Sequence, residues 1–227
     1  MNNSKYKFKT KPFEHQLTAL NKCWDKDVYG LLMEMGTGKT KVLIDNLGIL
    51  YNQGVIDSAL IVAPKGVYKT WEQQEFPKHL PNYIMEHTRL VMWQPNLTQK
   101  QMLKMQTIME STNDLKIFIM NTEAFSTEKG IKYAEKFLLG NRTMFVIDES
   151  TTIKNPQAKR TRNIIKLSNL AKYKRILTGT PVTRSPLDLY SQFYFLDPDI
   201  LNFSSYYSFR SRYAMMVNRT MGSHSFN

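Results

Sequence analysis

The chain has 227 residues, 42% of them hydrophobic, and a formal net charge of +12. That size supports a packed core in one large domain or two small ones, and the single cysteine, Cys23, excludes an intramolecular disulfide. No run of about 18 apolar residues is present to cross a membrane, and the polar, lysine-rich start is unlike a secretory signal, so a soluble cytoplasmic protein is expected.

Along the chain, Lys5-Tyr6-Lys7-Phe8-Lys9 alternates lysine with aromatics. This favours an edge strand with one charged face, a flexible arm being the other reading. Helical spacing runs from Phe13 to Trp24, with Leu17 and Leu20 on one face. Tyr29 to Met33 reads as a short buried strand, and Lys39 to Tyr51 as a helix with Val42, Leu43, Leu47 and Leu50 at helical steps. Ser58 to Ala63 is an apolar strand stopped by Pro64, followed by a helix over Val67 to Phe76. Leu90 to Trp93 reads as a strand and Gln99 to Glu110 as an amphipathic helix whose methionines fill the core. Strands are expected at Lys116 to Met120 and Thr143 to Ile147 with a helix between them. A helix over Gln157 to Leu170, a strand over Arg175 to Thr178, and helices over Leu187 to Phe195 and Tyr206 to Tyr213 complete the pattern. Such alternation predicts an α/β fold with a mostly parallel sheet covered by helices on both faces. Ligands bind such sheets at the carboxyl ends of the strands.

Charge is unevenly spread. Residues 1–149 hold 19 Lys/Arg and 16 Asp/Glu, whereas residues 150–227 hold 12 and 3. A basic field of that kind attracts phosphate backbones and speeds encounter with nucleic acid.

Three motifs fall at predicted strand ends. Met35-Gly36-Thr37-Gly38-Lys39-Thr40 joins a strand to a helix and reads as a nucleotide-binding P-loop, although Met33 stands where the strict pattern has glycine. The glycines let the backbone approach a phosphate, and the helix N-terminus favours the anion. Lys39 would reach the β- and γ-phosphates of ATP, and the Thr40 hydroxyl would ligate Mg²⁺. Met144 to Ile147 then leads into Asp148-Glu149. Asp148 would hold the ion and Glu149 would polarise the attacking water. Leu177-Thr178-Gly179-Thr180-Pro181 ends a third strand in hydroxyls, which the strand-end rule places near the phosphates.

In their order along the chain, these residues resemble the first RecA-like domain of a superfamily 2 helicase, most closely the Swi/Snf-type double-stranded DNA translocases. Pro12-Phe13-Glu14-His15-Gln16 resembles the adenine-reading motif, with Gln16 as the adenine contact. Glu34 to Thr40 resembles motif I, and Ala59 to Lys65 with Trp71 resembles motif Ia, which touches the nucleic-acid backbone. Asn121-Thr122-Glu123-Ala124-Phe125 stands where the family has motif Ib. Asp148-Glu149-Ser150-Thr151 and Ile153-Lys154-Asn155 resemble motif II and its extension. Thr178 to Pro181 and Leu187 to Tyr190 resemble motif III and its following helix.

The resemblance implies a RecA-like three-layer domain over residues 12–200, preceded by the basic-aromatic segment 1–11. Residues 201–227 would begin a connection to a second RecA-like domain outside the chain, which would supply arginine fingers to the cleft. ATP and Mg²⁺ are the implied cofactors and duplex or branched DNA the implied partner, with RNA not excluded. Lys65, Asn121, Thr122 and Arg184 are the candidate phosphodiester contacts, and Thr151, Thr178 and Thr180 the candidate coupling residues. Thr151 departs from the family, which usually has His, Asp or Gln there. Alone, the chain is expected to bind nucleotide weakly and turn over little. A strand-separating helicase is the alternative within the class, and a small-molecule P-loop kinase or a non-catalytic DNA-binding module the alternatives outside it. A kinase would not explain motifs Ia, Ib and III, and intact Lys39, Asp148 and Glu149 argue against a decayed site. Trp24, Trp71 and Trp93 are expected to be packing residues.

Overall fold

The computed structural model describes residues 6–111 and 113–215. In chain order it contains α1 (Glu14–Cys23), β1 (Val28–Leu32), α2 (Lys39–Asn52), β2 (Ser58–Ala63), α3 (Tyr68–Thr70), a π-helical turn (Trp71–Glu75) and α4 (Phe76–His79). Then come α5 (Asn82–Met85), β3 (Thr88–Met92), α6 (Gln99–Glu110), β4 (Leu115–Asn121), α7 (Glu128–Leu139), β5 (Thr143–Asp148), α8 (Lys159–Ser168), β6 (Tyr173–Thr178), α9 (Leu189–Leu196) and α10 (Tyr206–Tyr213). The strands pair in the order β1-β6-β5-β2-β4-β3, and every pair is parallel. Parallel neighbours need crossover connections, and the helices that provide them cover both faces of the sheet.

Strand alternation divides the core. Ala59, Ile61 and Ala63 of β2 face one layer, with Leu20, Leu43 and Leu47 of α1 and α2. Leu60 and Val62 face the other, with Phe118, Phe137, Phe145 and Phe195. There the Phe145 and Phe195 rings meet edge to face at 5.1 Å, a favoured aromatic geometry. All six residues of β2 are buried, as the central position demands. Trp71 and Trp93 are core residues, and burial pushes the Cys23 thiol up to about 11.

Three expectations need correction. Residues 6–10 form no strand, and Lys5 lies outside the described residues. Tyr6 is instead drawn onto α2, where its hydroxyl donates to Asp45 Oδ1 at 2.9 Å, while Lys41 Nζ binds Asp45 Oδ2 at 2.7 Å and Thr10 O at 2.9 Å. These bonds tie Tyr6 and Thr10 to α2 in place of sheet pairing. The helix expected over Val67 to Phe76 is interrupted by the π turn, in which the Phe76 N–H donates to Trp71 O. Pro77 lacks an N–H, and in a regular helix its ring would press on the carbonyl of Gln73; the widened turn accommodates it. Finally, the basic last third is not all surface. Arg175 is fully buried and Lys174 nearly so.

Candidate functional site

Register places the three motifs at one edge of the sheet. Leu32, ahead of the glycine loop, pairs with Thr178, and Leu177 pairs with Asp148. The P-loop, the paired acids and the Thr178–Thr180 turn therefore leave adjacent strands β1, β5 and β6 at the same end.

In the loop, Gly36 and Gly38 hold φ of 79° and 80°, a left-handed conformation that favours glycine. A Cβ on Gly38 would also run into the Gln16 amide nitrogen. Gly38 is the N-cap of α2, with no capping side chain and no acid in the first turn. The first-turn amides are thus left for an anion, with the helix dipole behind them. Lys39 Nζ donates to Met33 O at 2.9 Å and Glu34 O at 3.0 Å, weak carbonyl partners that a phosphate would outcompete. Gln16 is 5% exposed and spans two backbones: its Nε2 donates to Thr37 O at 3.0 Å and its Oε1 accepts from the Phe13 N–H at 3.0 Å. His15 Nε2 also lies 2.9 Å from Thr37 O, and its ring stacks on exposed Phe13 at 5.8 Å. The motif at residues 12–16 therefore braces the loop from outside. His15 was not among the sequence candidates, because nothing local marks its reach of 22 residues.

The paired acids have different partners. Glu149 adopts φ 52°, strained for a non-glycine residue and characteristic of functional sites. Its Oε1 accepts the Thr178 hydroxyl at 2.6 Å and the Thr151 hydroxyl at 3.2 Å. Asp148 Oδ2 accepts the Trp71 indole N–H at 3.0 Å. Burial raises the Asp148 carboxyl above the ordinary range; the Trp71 hydrogen bond and the Lys39 charge oppose the shift, and Glu149 adds to it. Thr40, Thr70, Trp71, Glu75, Asp148 and Glu149 line a cleft of about 310 Å³. This donor set suits a polyphosphate with a hard divalent cation: amides and an ammonium for the oxygens, a hydroxyl and a carboxylate for the ion.

The turn after β6 is tied to the same edge. The Thr178 hydroxyl accepts from the Thr180 N–H at 3.2 Å, while Thr180 itself is exposed. A Cβ on Gly179 would lie 3.0 Å from Met35 Cγ, so this turn packs directly on the P-loop. Behind it, Ser150 Oγ donates to Gln192 Oε1 at 2.6 Å, and Gln192 Nε2 donates to Pro181 O at 2.8 Å. Asp188 accepts from the Thr183 N–H, the Thr183 hydroxyl and the Arg184 N–H, and Lys154 contacts Thr183. Gln192 thus bridges the loops after β5 and β6, a link with no signature in the sequence.

The candidate nucleic-acid contacts divide. Lys65 is exposed beyond β2, and Asn121 ends β4, its Oδ1 capping the following turn by accepting the Ala124 N–H at 3.0 Å. Both line a second cleft of about 350 Å³ with Trp93 and Lys129. Thr122 departs from expectation: it is 2% exposed, so its side chain faces the interior rather than a phosphodiester. Packing of the turn after β4 against α8, through the Asn163 Nδ2 bond to Phe125 O at 2.8 Å, turns it inward. Arg184 is exposed in the loop after β6, with its backbone held by Asp188.

Comparison with known proteins gives the same picture. Helicase SWR1 of Cryptococcus neoformans var. neoformans serotype D (strain B-3501A) is 29% identical over 184 residues, covering 80% of this chain and 14% of that protein. Chromatin-remodeling ATPase INO80 of Lodderomyces elongisporus is 26% identical over 206 residues, covering 86% and 12%. The chain thus spans a small part of the curated relatives it matches. Among solved structures, the Sulfolobus solfataricus SWI2/SNF2 ATPase core in complex with dsDNA is similar at a TM-score of 0.70 and 26% identity, covering 91% of this chain and 39% of that one. The family described as SNF2-related domain matches residues 14–224, and with so nearly the whole chain matched, this protein belongs to that family.

Proposed function

We propose that this chain is the nucleotide-binding half of an ATP-dependent translocase that works inside the cell on double-stranded or branched DNA. The reading rests on one observation above all: the uncapped α2 terminus with Lys39, the Asp148–Glu149 pair and the Thr178 hydroxyl meet at one sheet edge. The likeness to the Sulfolobus solfataricus core in complex with dsDNA supports the substrate class.

Bound here, Mg²⁺·ATP supplies a γ-phosphoryl group for transfer to water. Gly36, Thr37, Gly38 and Lys39 cradle the phosphates. Thr40 and Asp148 would hold the ion, and Gln16 would read the adenine. Glu149 works as the base. Its Oε1 is held by two hydroxyls, so Oε2 is the atom left to accept the proton of water. Thr178 and Thr151 report the state of that carboxylate to the turn around Thr180. Lys65, Asn121 and Arg184 meet phosphodiesters, and an arginine from a second RecA-like domain completes the cleft, a contribution of about 10³- to 10⁵-fold in rate.

The test compares ATP hydrolysis by this chain and by a protein extended through a second RecA-like domain, each with and without duplex DNA. Hydrolysis by the extended protein alone, stimulated by DNA and abolished by Lys39→Ala, is the expected result. DNA-independent turnover by this chain would reject the split motor in favour of a small-molecule kinase or ATPase.

A further inference from the structure

Trp71 is 2% exposed and packs against Phe76 at 5.7 Å, in the core layer beneath α2. Burial of that apolar ring needs no function. Its single polar atom is another matter. An indole can only donate, and a buried indole N–H takes an acceptor. Here the acceptor lies 77 residues away and is Oδ2 of Asp148, at 3.0 Å. The backbone that carries the ring is also unusual. Trp71 opens the π turn, so the residues after it are shifted in register relative to α3. The turn brings Thr70, Trp71 and Glu75 together on the wall of the cleft that also holds Thr40, Asp148 and Glu149. Single π turns inside helices recur at functional sites.

A carboxylate has two oxygens and a free torsion. A ligand held at one oxygen by a fixed donor presents the other in a defined direction, and the torsional freedom it would lose on ion binding is already spent. We infer that Trp71 is a positioning residue for the magnesium site: its indole N–H fixes Asp148 Oδ2 and so aims Oδ1 at the ion beside Thr40. The inference rests on the nucleotide-site reading above and adds a residue to it. In this role Trp71 acts through Asp148.

Equilibrium binding of a fluorescent ADP analogue, measured in Mg²⁺ and again in EDTA, separates the two ideas. The ratio of the two dissociation constants is the magnesium factor. In the unmodified chain Mg²⁺ tightens binding, and Trp71→Phe, which keeps the ring but removes the donor, lowers the magnesium factor about 10- to 100-fold. Trp71→His, which restores a ring N–H, recovers part of it. An unchanged factor in Trp71→Phe, or equal weakening in Mg²⁺ and EDTA, overturns the inference. Absence of nucleotide binding in either buffer would instead reject the nucleotide site itself, and binding that Mg²⁺ does not tighten in the unmodified chain overturns the inference. If Trp71→Phe does not fold, a protein carrying Trp24→Phe and Trp93→Phe leaves Trp71 as its only indole. Adding Mg²⁺ to its ADP complex should then shift Trp71 emission, and no shift overturns the proposal.

Discussion

At the scale of single residues, Arg175 is the clearest case of a charge whose meaning changes with burial. Its guanidinium lies in the core without a carboxylate partner among the described residues. It donates instead to Asn46 Oδ1 at 3.0 Å and to the backbone oxygens of Cys23, Lys26, Asp27 and Lys174 at 2.7–3.0 Å. Burial lowers its pKa to about 10, still charged at neutral pH. It satisfies carbonyls at the end of α1 and in the turn that enters β1, the strand leading into the P-loop. Arg175→Met takes the donor from the buried Asn46 Oδ1 and one hydrogen bond from each of those carbonyls, and should destabilise the fold by about 3 kcal/mol. Thermal unfolding would read this as a drop of roughly 6–12 °C. Thr178→Val tests a different kind of residue. Loss of the 2.6 Å bond to Glu149 should lower kcat of the two-domain protein about tenfold or more, with little change in nucleotide affinity. A parallel loss of affinity would assign Thr178 to binding instead.

At the scale of elements, the broken helix over residues 68–79 carries both a site residue and a pH-sensitive joint. His79 in α4 pairs its Nδ1 with the Thr10 hydroxyl at 2.8 Å, and Glu75 lies 3.8 Å from its Nε2. Burial, with Lys41 and Lys78 nearby, lowers its pKa from 6.5 to about 4. Between those values the unfolded chain binds a proton that the folded chain refuses. The contribution of His79 to stability is therefore complete above 6.5 and is lost as pH falls toward 4. Denaturant midpoints of the unmodified protein and of His79→Gln should diverge across that window, with the unmodified protein losing more. The raised carboxyls of Asp45 and Asp148 titrate in both proteins; Glu75, whose carboxyl burial also raises, faces His79, so a Glu75→Gln background isolates the histidine.

At the scale of the whole molecule, net charge and sheet topology carry the DNA-binding reading. Lys65 is exposed at the carboxyl end of β2 and shares a cleft with Asn121. As a phosphate contact it carries no sequence information. Lys65→Ala should weaken duplex binding by similar factors across sequences and reduce the slope of log affinity against log salt by about 1. Loss confined to particular sequences would make it a base contact. The net charge of +12 overstates the usable surface field, since Lys174 and Arg175 point inward.

The chain alone determined the α/β class, most element positions and the glycine-rich turn that feeds α2. Those signals are local: apolar runs of strand length, helical steps, and glycines followed by Lys39 and Thr40 within six residues. Boundaries shifted by a residue or two, and the helix near Trp71 hid its π turn because Pro77 acts through packing geometry that periodicity does not encode. Tertiary structure alone decided which candidates meet. The Trp71–Asp148 bond spans 77 residues, Ser150–Gln192 42, and Thr178–Glu149 29. Strand order, by seating β5 between β6 and β2, brings these groups within hydrogen-bond reach. The same packing turned Thr122 and Arg175 inward, because a side chain's face depends on which neighbours its element meets, and one sequence does not name them.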